Sequence, residues 1–583
     1  MTDNRTSTPP AADDGLGADD SFDAVAYLDL LLSDAALGAF RRFVPGAFVA
    51  RAGLGLARRP RTVARRVSGL LGELSSVAAG RSAVAPDRRD RRFADPAWTQ
   101  NPLLRRLVQA YLAGGEFAAG LLGDARLDGP DAERARFLVE NVVDALAPSN
   151  NPLVSPVAWK AAIDTGGLSA VRGLRAFAGD MASAPRVPSM VAPDAFEVGR
   201  DLAVSPGAVV RRTEICELIQ YEPSTALVNR YPVVVVPPTI NKFYITDLAP
   251  GRSMIEYLVS QGHQVFAISW RNPDARHKDW GLDAYGQAVV SALEAARAIC
   301  AAEQASILSL CSGGIISAMA AAHLAASAAE AGLGPGAGSG PLASLFCGVT
   351  MLDPAATGGP AALVSQRTLD RAVAASQARG YLDGRALAEV FAWLRPNDLI
   401  WNYWVNNYLQ GRTPQPFDIL YWNADTTRMT AALHRDFIRL FSSGSLAKPG
   451  AATMLGTPVD LSAVTVDVYV VAGISDHLCA WEGCYSSGQM FGGDVRFALS
   501  TSGHIASMVN PPSNPKARFR AAPASGSAAD WLAATPEGPG SWWTDYSPWL
   551  AERSGGTKDA PGRLGGNGFT ASDPAPGRYV LDR

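Results

Sequence analysis

The sequence predicts an α/β fold: a doubly wound, mostly parallel sheet with a cap insertion, preceded by a helical N-terminal domain. Three observations carry that prediction. Apolar runs of strand length, Val233–Val236 above all, alternate with longer helical segments, and unbroken runs of this kind suit strands buried on both faces. The stretch 305–323, ASILSLCSGGIISAMAAAH, passes from an apolar strand through a small-residue turn into an alanine-rich helix, with Cys311 at the tip. A long segment rich in Trp and Tyr, 354–465, then interrupts the alternation.

At 583 residues the chain is too long for one simple core, so two or more domains are expected. Its 48% hydrophobic and 18% charged residues describe a globular protein with room for a large core. A net charge of -3 gives no reason to expect nucleic acid. Cys216, Cys300, Cys311, Cys347, Cys479 and Cys484 lack CxxC spacing and fit neither a zinc site nor a dense disulfide framework. No metal is therefore expected, and a reducing, cytoplasmic setting is. The opening MTDNRTSTPPAADDG has no basic stretch leading into an apolar one, so no secretory signal is expected. No run of about 18 apolar residues marks a transmembrane segment.

Residues 1–22 are polar, acidic and rich in Ala, Pro and Asp, the composition of a disordered tail. Residues 23–90 read as a basic amphipathic extension. Arg41, Arg42, Arg51, Arg58, Arg59, Arg61, Arg65 and Arg66 interleave with apolar positions, and Leu70, Leu71, Leu74 and Val77 recur at helical spacing. Such a face suits an apolar–water interface or a partner, and equally a solvated helix pair capping the next domain. Residues 91–212 read as a helical N-terminal domain, with one amphipathic segment after Asn101-Pro102 and a second over 132–146 that stops at the prolines which follow. Residues 213–583 read as the sheet domain. Its strands are expected at Val233–Val236, 264–269, 307–310, 345–352, 466–472 and, last, 495–499, with helices over 253–261 and 285–300. The insertion at about 355–460 reads as a cap whose aromatics, among them Trp393, Trp401, Trp404, Tyr408 and Trp422, form its own core or line an apolar path. Beyond 521 the chain is loop-rich, and Trp531, Trp542, Trp543 and Trp549 are expected to pin it to the sheet.

Strand, sharp turn with a nucleophile, helix is the nucleophile-elbow pattern, here with Cys311. Ser309, Ser312, Gly313 and Gly314 are small, as a strained turn that brings strand and helix together requires. The helix N-terminus would offer N–H groups to the sulfur and favour thiolate. A buried cysteine in a small-residue turn fits the same residues, and the partners decide. His504 follows the strand 495–499, and Asp476 follows the strand 466–472. Cys311, Asp476, His504 is the chain order of the α/β-hydrolase fold, each residue leaving a strand end. It assigns nucleophile, orienting acid and base. The oxyanion hole falls to the backbone N–H of Ser312 and that of Ile240 or its neighbour, in the loop after Val233–Val236. His477, beside the acid, is a candidate to shape the site, while His323, well inside the elbow helix, reads as structural. A thiolate that takes an acyl group from a thioester makes another thioester and keeps it activated. Cysteine here therefore points to acyl transfer rather than plain hydrolysis.

The blocks PPTINKFYITDLAPGRSMIEYLVSQGHQVFAISWRNPD (237–274), SLCSGG (309–314), LRPNDLIWNYWVNNYL (394–409), PFDILYWNADTTR (416–428), VAGISDH (471–477) and SGHIASMVNPP (502–512) resemble polyhydroxyalkanoate synthases, over roughly residues 90–583. The resemblance implies that Cys311 carries the acyl chain, that His504 is base for the thiol and for the incoming 3-hydroxyl, and that Asp476 orients His504. It implies (R)-3-hydroxyacyl-CoA as substrate, no cofactor, coenzyme A as leaving group, and a polyester growing on cytoplasmic granules. It also implies a homodimer or assembly with a partner subunit, with granule-coating proteins as further partners, and by length a single-subunit type. Ser309 stands where the family usually has Gly. LYWNADTTR, VAGISDH and the closing GSWW and APGRYV resemble the medium-chain-length class. A Cys-dependent thioesterase or depolymerase of the same fold, or a catalytically silent granule scaffold, are the rival readings.

Overall fold

The computed structural model describes residues 33, 35–38, 46–332, 340–353, 366–476 and 478–583. Among them one sheet has ten strands: β1 Gly207–Arg212, β2 Cys216–Tyr221, β3 Val233–Val236, β4 Val265–Trp270, β5 Ala305–Leu310, β6 Leu342–Gly348, β7 Val468–Gly473, β8 Val495–Ser500, β9 Arg518–Pro523 and β10 Gly538–Pro539. They lie in the order β1-β2-β4-β3-β5-β6-β7-β8-β9-β10. From β4 to β8 all neighbours are parallel. An antiparallel pair closes each edge.

Alternation along the central strands divides the interior in two. Val234, Val236, Phe266, Ile307 and Val470 join one core with helices α8 (Leu282–Cys300) and α9 (Ser312–Glu330), whereas Val233, Val235, Ala267, Leu308, Tyr469 and Val471 join the other with α7 (Met254–Ser260) and α17 (Trp543–Glu552). Both faces are covered, so these strands carry no polar alternation. Trp542, Trp543 and Trp549 seat the C-terminal segment on the second face, and Trp531, from α16 (Ala528–Ala534), packs on the first against Phe497. Among the described helices, α9 has the length and hydropathy of a membrane span, but 78% of that window is buried inside the fold.

Two boundaries differ from expectation. Residues 207–212 form β1 and belong to the sheet, not to the helical N-terminal domain, and β9 and β10 continue the sheet beyond 495–499. Both are edge elements: β1 reads GAVVRR and β9 reads RFRAAP, half-exposed and arginine-bearing, without the apolar run that marks a central strand. The buried Glu217 on β2 is matched by Arg212 at 2.7 Å and by the amides of Arg578 and Tyr579 at 2.9 and 3.0 Å.

Before the sheet, α1 (Ala47–Ala57) and α2 (Pro60–Ala78) pack on α3 (Pro102–Ala125), where Arg66 pairs with Asp124 at 2.8 Å. The extension from 46 onward is thus a helix pair capping α3, with Leu54 and Leu71 left exposed, and its Arg41 and Arg42 lie outside the described residues. The expected tail, 1–22, lies outside the described residues. Next come α4 (Gly129–Ala145), α5 (Pro156–Asp164) and α6 (Leu168–Met181).

The insertion does not form a separate lid with its own core. Leu369 of α10 (Gln366–Arg379), Leu387 and Val390 of α11 (Gly384–Leu394), and Leu433 and Phe437 of α13 (Ala431–Ser443) share the first core with α8 and α9. Between α11 and α12 (Asp418–Ala424), the π-helical turns Asn397–Trp401 and Trp404–Leu409 reach the N-terminal helices instead. Phe177 of α6 meets Trp404 and Tyr408 edge-on at 5.9 and 5.4 Å, and Tyr408 donates to Asp180 at 2.7 Å. A Cβ on Gly173 would sit 1.9 Å from the Tyr408 carbonyl oxygen, so glycine sets how closely α6 approaches. The expected own-core aromatics are therefore largely a seam between domains.

Candidate active site

β5 delivers Cys311 to the C-terminal edge of the parallel strands, where such sheets place their chemistry. Cys311 has φ 51 and ψ -121, a conformation that costs a non-glycine residue about 1–3 kcal/mol. It is held by its N–H, which donates to Gly348 O at 2.9 Å, and by its carbonyl, which accepts from Gly314 N at 2.9 Å. A Cβ on Gly313 would come 2.5 Å from Pro237 O, and one on Gly314 2.0 Å from Thr350 Oγ1. Close approach by β3 and β6 thus dictates both glycines. The Ser309 side chain is fully buried, and its Oγ donates to Phe346 O on β6 at 2.5 Å, which accommodates the departure from Gly. Cys311 is the half-buried one of the six cysteines; the other five are buried.

Asp476 follows β7, and His504 opens α15 (His504–Val509) after β8. Asp476 Oδ1 accepts from the amides of Leu478 and Cys479 at 2.8 and 3.0 Å, and its Oδ2 accepts from His504 Nδ1 at 2.8 Å. The carboxylate is therefore fixed by the loop and fixes the imidazole in turn. The thiols of Cys311 and Cys479 lie near enough to the His504 ring to act on its charge. Burial opposes its protonation, but the charge and hydrogen bond of Asp476, with help from the two thiols, hold His504 well above the usual histidine range. Burial pushes the Cys479 thiol up to about 12. The arrangement can take a proton from Cys311 onto an imidazole whose far side is already held by a carboxylate.

Ser312 opens α9, so its N–H has no acceptor within the helix. Its hydroxyl accepts from Thr239 N at 3.0 Å and lies 3.1 Å from Thr239 Oγ1, which ties the loop after β3 to the helix start. In the same loop, Ile240 O accepts from Thr427 N at 2.9 Å, and Lys242 O accepts from Trp422 Nε1 at 2.7 Å. Lys242 itself is buried and donates to the carbonyls of Tyr579 and Asp582.

The structure brings Cys311, Asp476 and His504 together, and Ser312, next to Cys311, is bonded to Thr239, the residue before Ile240. His477 lies outside the described residues. His323 bonds Thr457 Oγ1 at 2.8 Å, far along α9. Sequence reasoning missed Thr239 and Cys479. The signal for Cys479 was its place three residues after the acid, in SDHLC, which no cysteine-spacing pattern picks out.

Residues 89–258 match the family described as poly-beta-hydroxybutyrate polymerase (PhaC) N-terminus, and residues 232–511 match the alpha/beta hydrolase fold. The chain is 43% identical over 527 residues to poly(3-hydroxyalkanoate) polymerase 1 of Ectopseudomonas oleovorans, covering 90% of this chain and 92% of that one. It is 37% identical over 513 residues to the poly(3-hydroxyalkanoate) polymerase subunit PhaC of Cupriavidus necator, covering 87% and 85%. With that identity along nearly its whole length, and an elbow cysteine set against an Asp–His pair, the chain belongs to the poly(3-hydroxyalkanoate) polymerase family.

Proposed function

We propose that this chain polymerises (R)-3-hydroxyacyl groups from their CoA thioesters into a polyhydroxyalkanoate, with Cys311 carrying the chain as a thioester. One observation supports this most: in a chain of this family, the half-buried Cys311 at the elbow has His504 as a neighbour, and Asp476 Oδ2 accepts from His504 Nδ1 at 2.8 Å. His504 takes the Cys311 proton, and the thiolate attacks the thioester carbonyl. The N–H groups of Ser312 and Ile240 meet the negative charge that develops on oxygen. As the C–S bond to coenzyme A breaks, the proton from His504 leaves with the CoA thiol. His504 then takes the proton from the 3-hydroxyl of an incoming acyl-CoA, and the hydroxyl oxygen attacks the Cys311 thioester. The ester bond forms as the acyl–Sγ bond breaks, and His504 returns the proton to the Cys311 sulfur. The chain, one unit longer on the incoming CoA thioester, reloads onto Cys311 by the first step with release of CoA. Acid and base stay within one buried pair, and no cofactor enters.

The location we propose is the granule surface in the cytoplasm. The apolar side chains Leu153, Trp159, Ile163, Leu168, Val171 and Leu174, exposed on and beside α5 and α6, suit contact with an apolar polymer. The blocks LYWNADTTR and VAGISDH favour medium-chain substrates, and a homodimer is the assembly we propose.

The test is CoA release from purified protein given (R)-3-hydroxybutyryl-CoA or (R)-3-hydroxydecanoyl-CoA, with the other product sized. High-mass polyester is expected, formed faster from the decanoyl substrate. Free hydroxy acid alone would make the protein a thioesterase, and no release from fully reduced protein would leave it a scaffold.

A further inference from the structure

The Asp476–His504 pair has a neighbour that the proposed chemistry does not use. Cys479 is buried, its amide donates to Asp476 Oδ1, and its sulfur lies close to the His504 ring. One oxygen of Asp476, the Cys479 sulfur and one nitrogen of His504 all lie within 4.8 Å of one another. Ligands around a tetrahedral zinc are about 3.3–3.6 Å apart, so side-chain adjustments of about an ångström would close these three on one ion. We propose that Asp476, Cys479 and His504 form an inhibitory site for a borderline-soft divalent cation of the zinc class.

The donor set selects the ion. One thiolate, one imidazole and one carboxylate suit zinc, whereas magnesium and calcium require oxygen ligands throughout. The three residues are already drawn together: Asp476 bonds His504 at 2.8 Å and the Cys479 amide at 3.0 Å. The ion replaces the proton between His504 Nδ1 and Asp476 Oδ2. Starting from the thiol and the imidazolium, two protons leave to solvent, one from Cys479 and one from Nδ1, and the ring keeps its proton on Nε2. The fourth position is open to water. An imidazole fixed in this form has no lone pair on Nε2, so it cannot accept a proton from Cys311 or from a hydroxyl. The inhibition rests on the proposed role of His504 as base, but the binding does not.

The experiment is zinc titration of the metal-free full-length chain, followed calorimetrically, and cobalt(II) titration followed by the thiolate charge-transfer absorption. Expected are one ion per chain, binding in Cys311→Ser within about threefold of the parent, and binding weakened by about tenfold or more in Cys479→Val. If Cys479→Val melts early, Cys479→Ala takes its place. Equal binding by parent and Cys479 variant, or loss of binding in Cys311→Ser, would overturn the site. Binding as expected with the CoA-release rate unchanged by zinc would overturn the inhibition. Magnesium in excess is expected not to compete; competition would also overturn the assignment.

Discussion

At the scale of single residues, Cys311 and its partners divide into one group proposed to react and several that hold it in place. Cys311→Ala removes the proposed nucleophile and is expected to lower CoA release by about three orders of magnitude or more, read as initial rate with free thiol detection. Asp476→Asn is expected to lower kcat by a similar factor and to move the acid limb of kcat/KM to lower pH. The sign follows from the pair: Asp476 raises the His504 pKa, and the base form is lost as pH falls through that raised value. Removing the carboxylate charge lowers the value, so base activity persists to lower pH, though at a lower rate. An acid limb unmoved in the variant would detach it from His504. Cys311, Asp476 and His504 were legible in the sequence because each follows a strand whose apolar run is unmistakable. Thr239 and Cys479 were not, since each acts through a contact made across more than twenty residues, and neither leaves a periodic or spaced trace.

Among elements, legibility tracks burial. The central strands announce themselves because both faces are covered, while β1 and β9, at or near the ends of the sheet and half-exposed, read as ordinary half-polar chain. The same logic hid the role of the insertion: its aromatics mark a core, but the sequence does not say whose. Phe177, Trp404 and Tyr408 meet across the domain seam, and Gly173 sets the closeness of that meeting. Gly173→Val is therefore expected to cost about 1–3 kcal/mol and to make the first 200 residues more open to protease, measured by denaturant melts and limited proteolysis. A variant as stable as the parent would mean that the seam yields freely. Gly314→Val, whose Cβ would meet Thr350, is expected to disturb the elbow itself and to lose activity along with stability.

For the whole molecule, acid sensitivity has one clear source away from the site. His263 is buried between Asn229 Nδ2 at 2.8 Å and Ser547 Oγ at 2.9 Å, and burial pushes it down to about 4. Its neutral form is bound in the fold, while the unfolded chain takes up a proton below about 6.5. The resulting stability is full above that value and is lost as pH falls toward 4, up to about 3 kcal/mol. His263→Gln is expected to flatten the fall in denaturation midpoint between pH 6.5 and 4.5, and an unchanged slope would assign it to other groups.

The buried Lys242, two residues past Ile240, is tied to the carbonyls of Tyr579 and Asp582. Its loop therefore cannot settle until the ribosome has translated the chain through Asp582 and released that stretch from its exit tunnel. A chain that has emerged through His504 but not yet through Asp582 would already carry Cys311, Asp476 and His504, while the loop proposed to complete the oxyanion hole still lacks this anchor.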